Sequence, residues 1–169
     1  FDAFSYADIA EELGIRKASI HYHFPSKGDL THAVARRYRG QFGERLARLE
    51  AEYPDPTQRL MRYIRLFQEA LRRGDHMCLH GMLASNVATL PEAVRVEVNG
   101  FFEDQEAWLT RLLQQGRSAG EFQFDGKPIA AAMALLAGLE GAMLVARSRR
   151  DVAHFASVAL RLVGMLTVN

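Results

Sequence analysis

The chain has 169 residues, 49% of them hydrophobic, with 21 basic and 20 acidic side chains and a formal charge of +1. That size and apolar share suffice for the core of one domain, or of one domain and a small satellite, and the near-neutral balance excludes a bulk polyanion binder and an acidic solvating chain. The single cysteine, Cys78, excludes a disulfide framework within the chain.

Apolar positions keep helical spacing nearly throughout, which predicts an all-α fold. A first helix begins at Ser5, where Ser5 and Asp8 make an S-x-x-D capping box. It carries Ile9, Ala10 and Leu13 on one face, and Gly14 closes it. A short helix from Arg16 to His23 follows and stops before Pro25, because the residue ahead of a proline avoids the helical region. Ser26 and Asp29 form a second box, opening a long helix with Leu30, Ala33, Val34, Phe42, Leu46 and Leu49 inward. Further helices are expected from Pro56 to Arg73, Cys78 to Ala88, Pro91 to Ala119, Pro128 to Arg147 and Val152 to Thr167. "GEFQFDG" alternates too briefly to be a convincing strand. The expected organisation is a helix-turn-helix unit over residues 1–46 and a helical body over 47–169.

Charge is concentrated near the N-terminus. Arg16 to Arg48 holds eight basic and two acidic residues, a net +6 over 33 positions. This favours an anionic partner there, against the plainer reading of a solvated basic helix face. Two capped helices joined by "ELGI" read as a helix-turn-helix, whose second helix enters the major groove of DNA. That helix starts Arg16, Lys17, Ala18, Ser19. Lys17 suits guanine or phosphate, and Ala18 suits a thymine methyl. Ser19, His21, Tyr22 and His23 suit phosphates, which set register rather than sequence. Lys27, at the start of the next helix, suits a phosphate held with backbone N–H groups. Ile20 and Phe24, four apart, face inward.

The 27 residues "FSYADIAEELGIRKASIHYHFPSKGDL" closely resemble the DNA-binding signature of TetR-type transcriptional regulators. The resemblance implies DNA contacts at Ser5, Lys17, Ala18, Ser19, His21, Tyr22, His23 and Lys27, with Arg16 beside them. It also implies a further helix ahead of the motif, which this sequence begins too late to contain, and a double-stranded operator as partner. "CLHGMLASNVATLPEAV" resembles the ligand-domain segment of a subset of these regulators. Some of that subset sense electrophiles through a second cysteine further along, where this sequence has Ala88.

Other constellations compete with plainer readings. His76, Cys78 and His80 hint at metal, yet their spacing is strand-like and falls at a helix start, so no metal or cofactor is expected. Cys78 reads either as a reactive thiol or as a buried structural residue. There is no nucleophile elbow and no glycine-rich phosphate loop, which argues against an enzyme. Tyr63, Phe67, Cys78, Met82, Phe101, Phe102, Glu103 and Trp108 are candidates for a pocket that takes an unknown small-molecule effector, against simple core packing. Leu135, Gly138, Leu139, Ala142, Phe155, Val158, Leu162 and Met165 are candidates for a twofold homodimer seam on the last two helices. Pro128 to Ala146 carries one charge, Glu140, and is rich in Ala and Gly without aromatic flanks, so it reads as a buried helix rather than a membrane span. No signal-peptide pattern is visible, and a cytoplasmic location is expected. The combined expectation is a ligand-responsive repressor. The rivals are a constitutive DNA-binding dimer, a thiol sensor through Cys78, and a helical carrier that kept the motif unused.

Overall fold

The computed structural model describes residues 5–73 and 77–167. Among them are eight α-helices: α1 (Tyr6–Leu13), α2 (Lys17–His23), α3 (Lys27–Glu52), α4 (Pro56–Arg72), α5 (Leu79–Ala84), α6 (Glu92–Ser118), α7 (Pro128–Arg149) and α8 (Val152–Gly164), with a 3-10 turn at Val87–Thr89. The all-α expectation holds, and "GEFQFDG" contributes only an isolated bridge between Phe122 and Thr167. The chain divides into two compact units that do not follow chain order. One comprises residues 1–41 and Leu79–Phe101; the other comprises Phe42–Cys78 and 102–169. Both α3 and α6 contribute residues to each unit.

In the first unit, α1 is closed at both ends. Ser5 Oγ accepts from the Asp8 N–H at 3.3 Å, while the Ser5 N–H donates to Asp8 Oδ2 at 2.6 Å. Gly14 takes a left-handed φ of 64° and returns its N–H to the Ala10 and Glu11 carbonyls, a conformation that costs a residue with a Cβ about 1–2 kcal/mol. The second box also forms: the Ser26 N–H donates to Asp29 Oδ2 at 2.9 Å and the Asp29 N–H to Ser26 Oγ at 3.2 Å. Tyr6, Ala10 and Ile20 make the buried centre here, with Ile9, Phe24 and Leu30 packed against it. Leu13, placed on the inner face by type alone, is exposed.

The inward face of α3 is set one residue later than its apolar residues suggest. Val34 is 45% exposed and Ala35 fully buried, so the buried stripe runs Thr31, Ala35, Phe42, Leu46, Leu49 at helical spacing. Thr31 tolerates burial because its hydroxyl donates to the Lys27 carbonyl at 2.8 Å. The α5 helix is shorter than expected. The Ser85 hydroxyl donates to the Met82 carbonyl at 2.7 Å and Asn86 Nδ2 to the same carbonyl at 3.3 Å, side-chain bonds that compete with helix continuation.

In the second unit α4 packs against α7 and α8, and α7 lies along α8. Gly138 permits that approach: a Cβ there would sit 2.8 Å from a Leu162 methyl of the same chain. The α7 helix is long and apolar enough to cross a membrane by length and composition, but 39% of its most apolar stretch is buried in protein.

Candidate nucleic-acid interface and body cluster

The α2 helix is short and has one inward anchor, Ile20. Around it, Ser5, Arg16, Lys17, Ala18, Ser19, His21, Tyr22 and His23 are all exposed, Tyr22 at 84%, and Lys27 is half-buried in the first turn of α3. This exposed face is held by Tyr6, a residue the sequence did not single out. Its hydroxyl lies 2.8 Å from the Phe24 carbonyl and 2.6 Å from the Ser26 carbonyl, and its proton is shared across them. The Tyr6 ring meets the His21 ring edge-on at 4.6 Å, and Tyr22 meets His23 likewise at 5.1 Å. One tyrosine thus ties the start of α1 to the α2–α3 corner. Burial first, then the Asp29 charge, raises its hydroxyl pKa, so it stays a donor. The Lys27 ammonium contributes to holding the Asp8 carboxyl below the ordinary carboxylate range, after the Ser5 hydroxyl and backbone bonds.

A second cluster in the same unit centres on His80, which is fully buried. Its ring stacks on Phe101 at 4.1 Å and tilts against Tyr38 at 5.3 Å. Neither ring nitrogen makes a hydrogen bond of normal geometry among the described residues. Burial pulls its pKa to about 4, with Glu97 and the Ala35 backbone opposing and Arg39 assisting. Glu97 accepts from Arg39 Nη1 at 3.3 Å and lies 3.5 Å from His32 Nε2.

In the second unit four of the expected pocket residues come together. Tyr63 is fully buried, and its hydroxyl donates to Gln105 Oε1 at 2.7 Å. Its ring stacks on Trp108 at 5.2 Å and meets Phe67 edge-on at 5.3 Å. Cys78 hydrogen-bonds the Glu140 carboxyl, and Glu140 and Cys78 both act on Tyr63, whose hydroxyl burial already pushes well above its ordinary value. Burial raises the Glu140 carboxyl as well, against the Cys78 bond. Gln105 Nε2, Trp108 Nε1 and Glu140 Oε1 are buried without a hydrogen-bond partner among the described residues. Each such group costs about 1–3 kcal/mol. By contrast, the buried Arg59 of the same unit is satisfied by the Tyr53 carbonyl at 2.8 Å, Gln115 Oε1 at 2.9 Å and the Pro54 carbonyl at 3.1 Å.

The other expected pocket residues fall elsewhere. Phe101 belongs to the His80 stack. Met82 is 40% exposed because His80 and Leu83 take the inward face of α5. Phe102 is half-buried and Glu103 exposed, turned off the Gln105–Trp108 face of α6. Of the hinted metal group, His76 lies outside the described residues, His80 is stacked as above, and Cys78 sits on Glu140. Gln105 and Glu140 were missed as site residues. The one usable signal was Glu140 as a lone acid in an apolar helix.

The expected dimer residues lie on α7 and α8, with Met165 just past the end of α8, but most face their own chain. Leu135, Leu139, Ala142 and Phe155 are buried by it, Val158 and Leu162 are half-buried, Leu162 against Gly138, and of the set Met165 alone is exposed. The outward face of α7 and α8 is a different apolar stripe, with Met133, Leu144 and Val145 on α7 and Leu160 beside Met165 near the end of α8.

Two sequence-family descriptions match this architecture: "Bacterial regulatory proteins, tetR family" over residues 1–34 and "Tetracyclin repressor-like, C-terminal domain" over residues 56–161. The chain belongs to the TetR family of transcriptional regulators. A TetR-family transcriptional regulator from Agrobacterium tumefaciens, known from its crystal structure, is 37% identical, superposes with a TM-score of 0.95, and is matched over 99% of this chain and 88% of its own. The transcriptional regulator AcuR of Cereibacter sphaeroides is 29% identical over 147 residues, 83% of this chain but 65% of AcuR, so the chain spans just under two thirds of that relative. The HTH-type transcriptional repressor DhaR of a Mycobacterium species is 25% identical over 166 residues, 96% of this chain and 83% of DhaR.

Proposed function

We propose that this TetR-family protein is a homodimeric repressor that releases a twofold operator when a small molecule occupies its body. The observation that carries the reading is the exposed α2 face, Lys17 to His23, held in place by two capping boxes and the Tyr6 hydroxyl. Lys17 and Ala18 read base edges at the start of α2. Ser5, Arg16, Ser19, His21, Tyr22, His23 and Lys27 position the phosphates. The repressor sense is supported by the name of DhaR.

The apolar outward stripe of α7 and α8 is the seam offered to a second subunit, in place of the residues buried in their own chain. A twofold dimer presents two reading helices to two half-sites. The α3 helix runs unbroken from Lys27 to Glu52 and contributes to both units, so it is the element whose two arrangements an effector selects. Effector binding shifts that equilibrium only by its differential affinity for the two states, and operator and effector must weaken each other by the same factor.

The test is selection of bound sequences from a random duplex pool, followed by sedimentation of the complex. An inverted-repeat consensus bound by an even number of chains is expected. No consensus, or a protein that sediments as a monomer at micromolar concentration, defeats the reading. A thiol-sensing role for Cys78 is less well supported, because the thiol is buried and hydrogen-bonded to a carboxyl, both of which disfavour the reactive thiolate.

A further inference from the structure

The open polar groups of the body define the chemistry of what binds there. We infer that the effector is an uncharged small molecule carrying a carbonyl oxygen, received by Gln105 Nε2 and Trp108 Nε1 beside the Tyr63 and Phe67 rings. This rests on the reading of the body as an effector domain and specifies the ligand class.

The argument starts from donors. Gln105 and Trp108 stand three apart on α6, which puts them on one helix face. Both are at most 3% exposed, and both carry N–H groups with no acceptor among the described residues. The Tyr63 hydroxyl already occupies Gln105 Oε1, so the amide presents its NH2 end to any ligand. Two unpaired donors beside stacked aromatic rings call for an acceptor oxygen on a flat or apolar body.

The charge follows from what is nearby. Among the described residues, the charged or titratable groups acting on Tyr63 are Glu140 and Cys78, and on Glu140 it is Cys78; none of these is a cation. A carboxylate ligand would meet an acidic side chain with no counter-charge. An ammonium ligand would pair with Glu140 but would set its own donors against the two N–H groups. A neutral amide, ester or ketone carries the acceptor that both donors lack, and an amide in addition carries an N–H, the kind of donor that the unpartnered Glu140 Oε1 lacks. Buried polar groups are normally paired, and a cluster of unpaired ones calls for a partner. Arg59, each of whose three guanidinium nitrogens makes a hydrogen bond, shows that this unit can pair a buried polar group internally.

Trp108 is the single tryptophan of the chain, so its emission reports this site directly. The experiment titrates the full-length protein with two matched triplets, benzamide, benzoate and benzylamine, and propionamide, propionate and propylamine, reading Trp108 emission and melting temperature. At least one amide is expected to shift both saturably, with the acid and amine of the same skeleton at least tenfold weaker. Gln105→Leu should weaken the amide at least tenfold. Trp108→Phe, which keeps an aromatic ring beside Tyr63 but removes the N–H together with part of the indole, should do the same by melting temperature, and Gln105→Leu separates lost hydrogen bonding from lost ring area. The inference is overturned if an acid or amine binds as tightly as its amide, if both variants keep wild-type amide affinity, or if neither triplet shifts either signal. Both readouts are taken without DNA, so failure here is distinct from failure of operator binding.

Discussion

Around α2, in the N-terminal unit, the polar groups close on one another; around Tyr63, in the body, they stay open. Ser5 with Asp8, Ser26 with Asp29, and Tyr6 with two carbonyls leave the corner around α2 with its internal bonds made. What remains outward is the exposed face of α2, from Lys17 to His23 around the buried Ile20. In the body, Gln105, Trp108 and Glu140 keep buried polar atoms unpaired around Tyr63. A surface that reads a fixed shape needs internal closure, because a loose reading helix loses its register. A pocket needs the reverse, since a polar atom already satisfied by its own chain has nothing to offer a ligand.

The two tyrosines break this comparison most sharply. Tyr63→Ala removes the ring from Trp108 and Phe67 and strips Gln105 of its one bond, so a stability loss of about 3–5 kcal/mol is expected in denaturant melts. Tyr6→Phe keeps the ring and removes only the hydroxyl, and about 1–3 kcal/mol is expected. That loss should fall on α1 and α2, with hydrogen exchange accelerating there and unchanged in α7. If Tyr6→Phe leaves exchange in α1 and α2 as it was, the closed-corner account is wrong. Ser26→Ala should cost about 1 kcal/mol, the usual worth of an N-cap, and Ser5→Ala the same.

The smallest effect is a pH signature of opposite sign in the two regions. The folded-state pKa of His80, about 4, lies below its unfolded value of 6.5. Between those values the unfolded chain binds more protons, so this contribution is present above pH 6.5 and is lost as pH falls towards 4. The folded-state pKa of Glu140 lies above its unfolded value of 4.5. Its neutral form is favoured in the fold, so stability falls as pH rises from 4.5 through the folded value. Chemical melts across pH should steepen the acid-side loss in Glu140→Gln and flatten it in His80→Phe. The same pH profile in wild type and both variants would contradict the assignment.

Helix order was legible because strong local signals agree. Both capping boxes form where Ser and the acid stand three apart, and Gly14 and Pro25 end their helices as their backbones require. The motif from Ser5 to Leu30 was legible for the same reason, since its caps and turns are fixed by local geometry. Face and partner were harder. Val34 reads as core by type, but the stripe through Ala35, Phe42 and Leu49 is set by packing. In α7 almost every position is apolar, so composition cannot separate Leu139, buried in its own chain, from Leu144, exposed. Gln105 was invisible because a glutamine in an amphipathic helix normally faces water, and burial depends on Tyr63, 42 positions away.

The most direct test of the central claim is a fluorescence-anisotropy titration of the full-length protein on DNA from upstream of its own gene and on a scrambled duplex, across a salt series, with Lys17→Ala alongside. The account predicts tighter binding to the upstream DNA, a steep fall with salt from released counterions, and for Lys17→Ala weaker binding with a reduced preference for the upstream duplex, as for a lost base contact. Equal, weak binding of both duplexes, unchanged in Lys17→Ala, would contradict it.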